Sequence, residues 1–446
     1  MLKDFMPEYR EKLRSPDEAV KVIKSGDWVD YTSSLGKPVL LDRALARRRD
    51  ELFDVKIRGI LIGGPIEVAE CDESQEHFIY HSWHCSSYER KLCDRGLCYF
   101  IPMVFHNNAA YYEYFLKVNV VMVSVSPMDK HGYFNYSVNT GVAGPIVRKA
   151  DIVIVEVNEH MPKIHGGYEE CIHISEVDYI VEGVHKPFDA AKPFVLTEID
   201  RQVAANIIPY IVDGSTLQLG IGSMPAALGE MIAQSDLKDL GMHTELCSDA
   251  FLSLHRSGKL TNKRKNIDKG KGVFGCAVGS TDLYEWLDDN HSVAAYPMEY
   301  VNRPSVIAQI DNMVSINSCV SVDLYGQVAA ESSGSRQISG TGGQLDFLIG
   351  ASASRGGKAF ICMSSTYKDK NGILHSRVRP QFNGDIITSP RSQVYFLVTE
   401  YGVINLEGRS TWERAEALIS IAHPNFRDGL IKEAQERKIW RKSNKR

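Results

Sequence analysis

The chain of 446 residues has no uninterrupted apolar stretch near the ~18 to 20 residues that cross a bilayer. Its longest apolar runs, such as residues 118–125, are strand-sized, so no membrane is expected. An excess of positive charge is also missing. Fifty-one Lys and Arg stand against 56 Asp and Glu, for a formal net charge of -5, and the molecule as a whole has no field to offer nucleic acid or an anionic surface. The first ten residues mix both charge signs before any apolar run, without the basic-then-apolar layout of an export signal. Cysteines are few and unpaired in pattern. There are nine, an odd number, scattered from Cys71 to Cys362, which excludes a disulfide framework and predicts reduced thiols in a cytoplasmic protein. The spacings of His81, His84, Cys85, Cys93 and Cys98 match no zinc pattern of paired halves, so these are expected to be buried thiols and satisfied histidines with no metal.

What is present is ordinary globular material, 43% hydrophobic and 24% charged, long enough for two domains with a core each. Short β-branched runs alternate with longer amphipathic stretches, the pattern of βαβ units and a mainly parallel sheet. Strands are predicted over residues 54–61, 118–125, 152–157, 216–219, 312–318, 359–363 and 393–398, and helices over 15–24, 39–49, 199–212, 225–233 and 412–421. Pro187 and Pro193 mark an extended linker over residues 184–194 and divide the chain into domains 1–190 and 191–446. The halves echo each other. A helix, a glycine turn at Gly26, a strand and a small-residue loop lead to Pro38, and the same succession runs from Gly214 to Pro225. The fold class predicted is α/β, with two related open domains.

The strongest local signal is Leu217-Gln-Leu-Gly-Ile-Gly-Ser-Met-Pro225, a strand entering a glycine loop with proline at an expected first helical position. Gly220 and Gly222 permit close backbone approach, and a helix start presents N–H groups to an anion such as a phosphate. A tight turn needing glycine only for packing is an equal reading. A dinucleotide fingerprint is weaker, because the third glycine is replaced by proline and alanine. Glu245 follows 25 residues after Gly220, in Gly241-Met-His-Thr-Glu-Leu-Cys-Ser-Asp249, at the expected carboxyl end of a second strand. His243, Cys247 and Asp249 invite a metal or Cys/His reading, but neighbouring positions on a strand point in alternating directions. A second glycine-dense loop, Ser339-Gly-Thr-Gly-Gly-Gln-Leu-Asp-Phe347, looks ligand-facing, with Asp346 either an acid or the cap of a helix beginning near Phe347. The basic runs 259–271 and 432–446 are expected to be solvated faces, the first with a possible role in steering a phosphate-bearing ligand.

Together these motifs resemble the class I coenzyme A transferases, in the acetyl-CoA hydrolase/transferase branch that includes butyryl-CoA:acetate and 4-hydroxybutyrate CoA-transferases. The resemblance spans the chain: Asp27-Trp-Val-Asp30, Val123-Ser-Val-Ser-Pro-Met-Asp-Lys-His-Gly132, Gly220-Ile-Gly-Ser-Met-Pro225, His243-Thr-Glu245, Asp323-Leu-Tyr-Gly-Gln327, Gly340-Thr-Gly-Gly-Gln-Leu-Asp-Phe347, Val398-Thr-Glu-Tyr-Gly402 and Ala422-His-Pro424. It implies an active site in the cleft between the domains and a ping-pong transfer in which Glu245 attacks an acyl-CoA thioester. It further implies that Gly220, Ile221, Gly222, Ser223, Met224, Val320 and Gly343 contact CoA, and that Lys368 partners a phosphate or pantetheine group. The expected substrates are CoA thioesters and short-chain carboxylates, with no permanently bound cofactor and a homo-oligomeric assembly. Butyryl-CoA with acetate is the first expectation. 4-Hydroxybutyryl or propionyl transfer and acyl-CoA hydrolysis are alternatives on the same scaffold, and a NAD-dependent dehydrogenase or a non-catalytic CoA-binding protein are readings from other classes.

Overall fold

The computed structural model describes residues 3–188 and 194–443. The expected boundary at 190/191 lies outside the described residues. The chain forms two compact units. The first comprises Met1–Ala191, Lys271–Val301 and Gln337–Gly342, and the second Lys192–Gly270, Asn302–Arg336 and Gly343–Arg446. The segments 271–301 and 337–342 therefore belong with the first unit, although a single cut in the sequence counts them with the second half.

In the first unit eight strands lie in the order Leu13–Arg14, Tyr179–Glu182, Ile152–Val157, Val120–Val125, Trp28–Ser33, Val55–Ile60, Phe78–Ser82 and Tyr99–Phe100. Every pairing among them is parallel. Val120–Val125 is buried at every position, as an apolar run covered on both faces must be. Asp30 of the Asp-Trp-Val-Asp motif is structural. Buried Arg58 on the next strand holds its carboxylate at 2.7 Å, and Tyr112 donates to it at 2.7 Å, so the two charges compensate each other away from water.

In the second unit Thr216–Leu219 is flanked by parallel neighbours Gly241–Cys247 and Met313–Ser318. Lys358–Cys362 and Phe396–Thr399 extend the parallel order, and Gly402–Asn405 closes it antiparallel. The mainly parallel α/β architecture read from the sequence is thus present in both units. Gly26 and Gly214 both take positive φ, +84° and +80°, where a side chain would be strained. Each turn feeds a strand inside its own sheet, the structural counterpart of the repeat.

Helix bounds differ from expectation at their ends. Residues 15–24 form only Pro16–Ala19, its start capped by Ser15 and Glu18, and a 3-10 turn, Val20–Val22. The helix expected from Pro225 begins at Ser223. Proline is accepted in its third position because first-turn N–H groups have no intrahelical acceptor to lose.

Candidate active site

Three parallel strands of the second unit end side by side. Thr216 opposes Gly241 and Leu217 opposes Met242, an offset that carries Glu245 level with Gly220, and Leu219 opposes Ile316 on the other flank. Carboxyl ends of parallel strands are where ligand crevices form.

Glu245 is half-buried near the end of Gly241–Cys247. Fully buried Asn302 donates from Nδ2 to Glu245 Oε2 at 2.7 Å, and the Gly343 N–H donates to the same carboxylate. Loss of hydration outweighs these donors, and the buried Asp346 adds like-charge repulsion, so the Glu245 carboxyl is pushed up to about 7. Gly343 has no space for a side chain, since a Cβ there would overlap Glu245 Oε2 and Asn302 Nδ2. It is the N-cap residue of the helix Gln344–Ala353. The expectation that Asp346 caps a helix beginning near Phe347 is therefore corrected. The helix starts at Gln344, and Asp346 lies inside its first turn, where its charge acts on Glu245.

The second grouping surrounds the glycine loop. Gly222 has φ +139° and is the N-cap residue of the twelve-residue helix Ser223–Gln234. The first intrahelical bond runs from the Ala226 N–H to Gly222 O at 3.1 Å, so the N–H groups of Ser223 and Met224 precede it, at the end of the helix that favours anions. Ser223 Oγ donates to Asp200 Oδ1 at 2.9 Å, which fixes the loop to the helix Glu198–Ile207. A cavity of about 350 Å³ opens here, with Ile221, Gly222, Ser223, Met224, Val320 and Arg377 among its walls. Arg377 Nη1 donates to Val320 O at 2.8 Å, and its guanidinium lies 5.2 Å from the Tyr367 ring centroid.

Five of the sequence-selected residues thus gather around one cavity, and Glu245 and Gly343 form a second cluster with Asn302 and Asp346. Gly220 lies between the strand end and the loop, its N–H donating to Ile316 O at 3.2 Å, and it does not line the cavity. Lys368 is exposed on the hairpin Thr366–Lys368/Leu374–Ser376 and does not line it either. Sequence reasoning missed Asn302 and Arg377. Neither sits in a glycine-rich or repeated pattern; Asn302 precedes only Arg-Pro, and Arg377 follows an ordinary hairpin.

His243, Cys247 and Asp249 do not converge. The His243 ring packs edge-on to Phe347 with centroids 6.4 Å apart, burial pushes the Cys247 thiol up, and Asp249 opens the helix Asp249–Arg256. The basic run 259–271 is not wholly a solvated face. Lys265 is buried, donates to Met242 O at 3.0 Å and is held down to about 8 by desolvation, while Arg264 pairs with Asp239 at 3.0 Å. Among the described residues no helix is long and apolar enough to cross a membrane.

Comparison with known proteins identifies the family. Residues 2–190 match the acetyl-CoA hydrolase/transferase N-terminal domain, and residues 279–434 match the C-terminal domain of the same name. A butyryl-CoA:acetate CoA-transferase from Anaerostipes caccae is 48% identical over 99% of this chain and 100% of its own length. A 4-hydroxybutyrate coenzyme A transferase from Clostridium kluyveri is 38% identical over 96% of this chain and 98% of its own. The crystal structure of RipA from Yersinia pestis superimposes with a TM-score of 0.91 at 35% identity, covering 98% of this chain and all of that one. With both domains matched and full-length relatives at this identity, the chain belongs to the acetyl-CoA hydrolase/transferase family.

Proposed function

We propose that this protein is an acyl-CoA:acetate CoA-transferase that converts butyryl-CoA and acetate into butyrate and acetyl-CoA, with Glu245 as the nucleophile. The observation that carries the reading is the Glu245 carboxylate, held by Asn302 and Gly343 at the strand end beside the glycine loop. The 48% identity to a protein named for this reaction supports the acyl group.

The carboxylate attacks the thioester carbonyl, the C–S bond breaks, and a butyryl-glutamyl anhydride and CoA thiolate result. The thiolate attacks the glutamyl carbonyl and displaces butyrate, leaving a Glu245–CoA thioester. Acetate attacks that thioester, and the thiolate then takes the acetyl group, which restores the carboxylate. Anhydride and thioester are both activated, so the bond energy passes on without a second energy source. Desolvation of Glu245 serves the same end, because an enclosed carboxylate is a better nucleophile and water is kept from the intermediates.

For CoA itself we assign the cavity at the glycine loop. Ser223 and Met224 offer N–H donors, Arg377 offers a cation, and Ile221 and Val320 offer apolar walls to the pantetheine chain. Gly220, Gly343 and Lys368 complete the CoA contacts in this reading. The 38% identity to a 4-hydroxybutyrate transferase favours 4-hydroxybutyryl-CoA as a second donor, since a pocket separates acyl groups differing by one small substituent by only ~1 to 3 kcal/mol. We place the protein in the cytoplasm as a homo-oligomer. All nine cysteines are free, as a reducing compartment would keep them.

The test is a panel of acyl-CoA donors with labelled acetate, followed by borohydride. Transfer of CoA to acetate with little free thiol release, and reduction of Glu245 to the alcohol on peptide mass analysis, are expected. Thiol release without acetyl-CoA would make the protein a hydrolase, and full turnover by Glu245→Ala would remove the nucleophile assignment.

A further inference from the structure

Outside this site, the first unit brings together three side chains that the transfer reaction does not use. Cys85 follows the strand Phe78–Ser82, Cys93 lies in the last turn of the helix Ser87–Asp94, and Cys98 precedes the strand Tyr99–Phe100. Their sulfurs all lie within 4.8 Å of one another, and Cys85 Sγ and Cys93 Sγ are 3.7 Å apart. Three sulfurs bound at ~2.3 Å to one metal ion stand about 3.7 to 4.0 Å from each other, in tetrahedral or trigonal geometry. The Cys85–Cys93 spacing already meets this, and the other two spacings are no more than 4.8 Å.

The scaffold is rigid where it matters. Ser86 caps the helix between Cys85 and Cys93, accepting from Tyr88 and Glu89 N–H groups, and buried Glu89 returns a bond to the Ser86 N–H at 2.8 Å. The Glu89 carboxylate also accepts from the Ile62 N–H at 3.0 Å and Tyr80 OH at 2.8 Å. It is thus occupied with holding the loop and not with the sulfurs. Cys85 and Cys98 are buried and Cys93 is half-buried, which leaves the cluster one open side.

We propose that Cys85, Cys93 and Cys98 form a three-thiolate site for a single soft d10 cation, copper(I) or zinc(II). Among the described residues no imidazole or carboxylate joins the three sulfurs at ligand distance, and three thiolates alone suit copper(I), while zinc(II) adds a water as fourth ligand. Binding exchanges three thiol protons for the metal ion, so the reaction releases three protons and involves no change of oxidation state. The linear spacing conceals the site. The ligands come from a strand end, a helix and a loop, so they form no paired short motif.

The experiment uses the full chain, reduced, stripped with chelator and kept anaerobic. It is titrated separately with zinc(II) against a chromophoric chelator and with copper(I) against bicinchoninate. One equivalent bound per chain, with a raised melting temperature, is expected for the preferred ion, and the arm that competes more strongly identifies it. Cys93→Ser, at the half-buried position, should keep the metal-free melting temperature and far-ultraviolet spectrum but weaken binding at least ~10-fold, whereas Cys71→Ser, elsewhere in the unit, should bind as the parent does. No binding at one equivalent of either ion, or binding unchanged by Cys93→Ser and by the Cys85→Ser/Cys98→Ser double variant, overturns the proposal and leaves three packed thiols.

Discussion

Asn302 and Glu245 are 57 positions apart in the chain and meet at 2.7 Å, the amide donating to Oε2. A hydrogen bond to a charged group is worth about 1.5 to 3 kcal/mol, and here it favours the ionised form of the glutamate, the form that attacks in the proposed transfer. Asn302→Ala should therefore lower kcat by about 10- to 100-fold, with KM for acyl-CoA little changed. It should also move the acid limb of the pH–rate profile to higher pH, because a donor that stabilises the carboxylate has been removed. Equal loss in kcat at every pH would mean that Asn302 only supports the fold.

The Glu245 carboxyl is raised to about 7 from an ordinary value of 4.5, and this sets two pH dependences. Activity should rise with pH through about 7 as the nucleophile ionises. Stability should move the other way. Between 4.5 and about 7 the folded state keeps a proton that the unfolded chain releases, so folding loses stability as pH rises across that window. The whole shift corresponds to at most about 3 kcal/mol. Glu245→Gln, which carries no charge, should melt close to the parent at pH 5 and above it at pH 8. A constant difference between the two proteins from pH 5 to 8 would contradict the raised value.

Much of the fold was legible because its longer strands are mostly buried runs rich in Val, Ile and Leu. Ile152–Val157 and Thr216–Leu219 match their predicted bounds, flanked by Asp151 and Asn158 and by Ser215 and Gly220, although Glu156, Thr216 and Gln218 are buried polar residues within them. Helix ends were less legible. The periodic segment 15–24 passes from one α-helical turn into the 3-10 turn Val20–Val22, a change of hydrogen-bond pattern that periodicity does not report. Within the site, Glu245 and the glycine loop could be found because strand length and register carry them to one edge. Asn302 could not, since its role depends on a contact between segments far apart in the chain. The sequence groups Cys85, Cys93 and Cys98 only loosely, and their approach to within 4.8 Å depends on how a strand end, a helix and a loop pack together.

Gly343 and Gly220 should respond differently to alanine. At Gly343 a Cβ would overlap Glu245 Oε2 and Asn302 Nδ2, whereas at Gly220 its nearest neighbour is Ile316 O at 3.7 Å, an ordinary contact. Gly343→Ala must push the carboxylate off its donors, and misplacement of about 1 Å can cost 100-fold. A loss of that order in kcat is expected for Gly343→Ala, against less than about 10-fold for Gly220→Ala. Comparable losses would mean that the Glu245 cluster yields more readily than its packing indicates.

Arg377 and Lys368 offer the sharpest test of where the CoA anion is held. Arg377 lines the cavity beside Ser223 and Met224, its position fixed by Val320 O and by the Tyr367 ring. Lys368 is exposed on the adjacent hairpin. A cation that is already positioned loses less side-chain freedom on binding than a mobile one and contributes more. Arg377→Gln should raise KM for acyl-CoA by about 10-fold, roughly 1.4 kcal/mol, and leave KM for acetate alone. Lys368→Ala should change KM for acyl-CoA by no more than about 3-fold, and that smaller effect should vanish at high salt, where an exposed charge is screened. The reverse order of effects would move the anion contact from the cavity to the hairpin, and with it the direction from which CoA reaches Glu245.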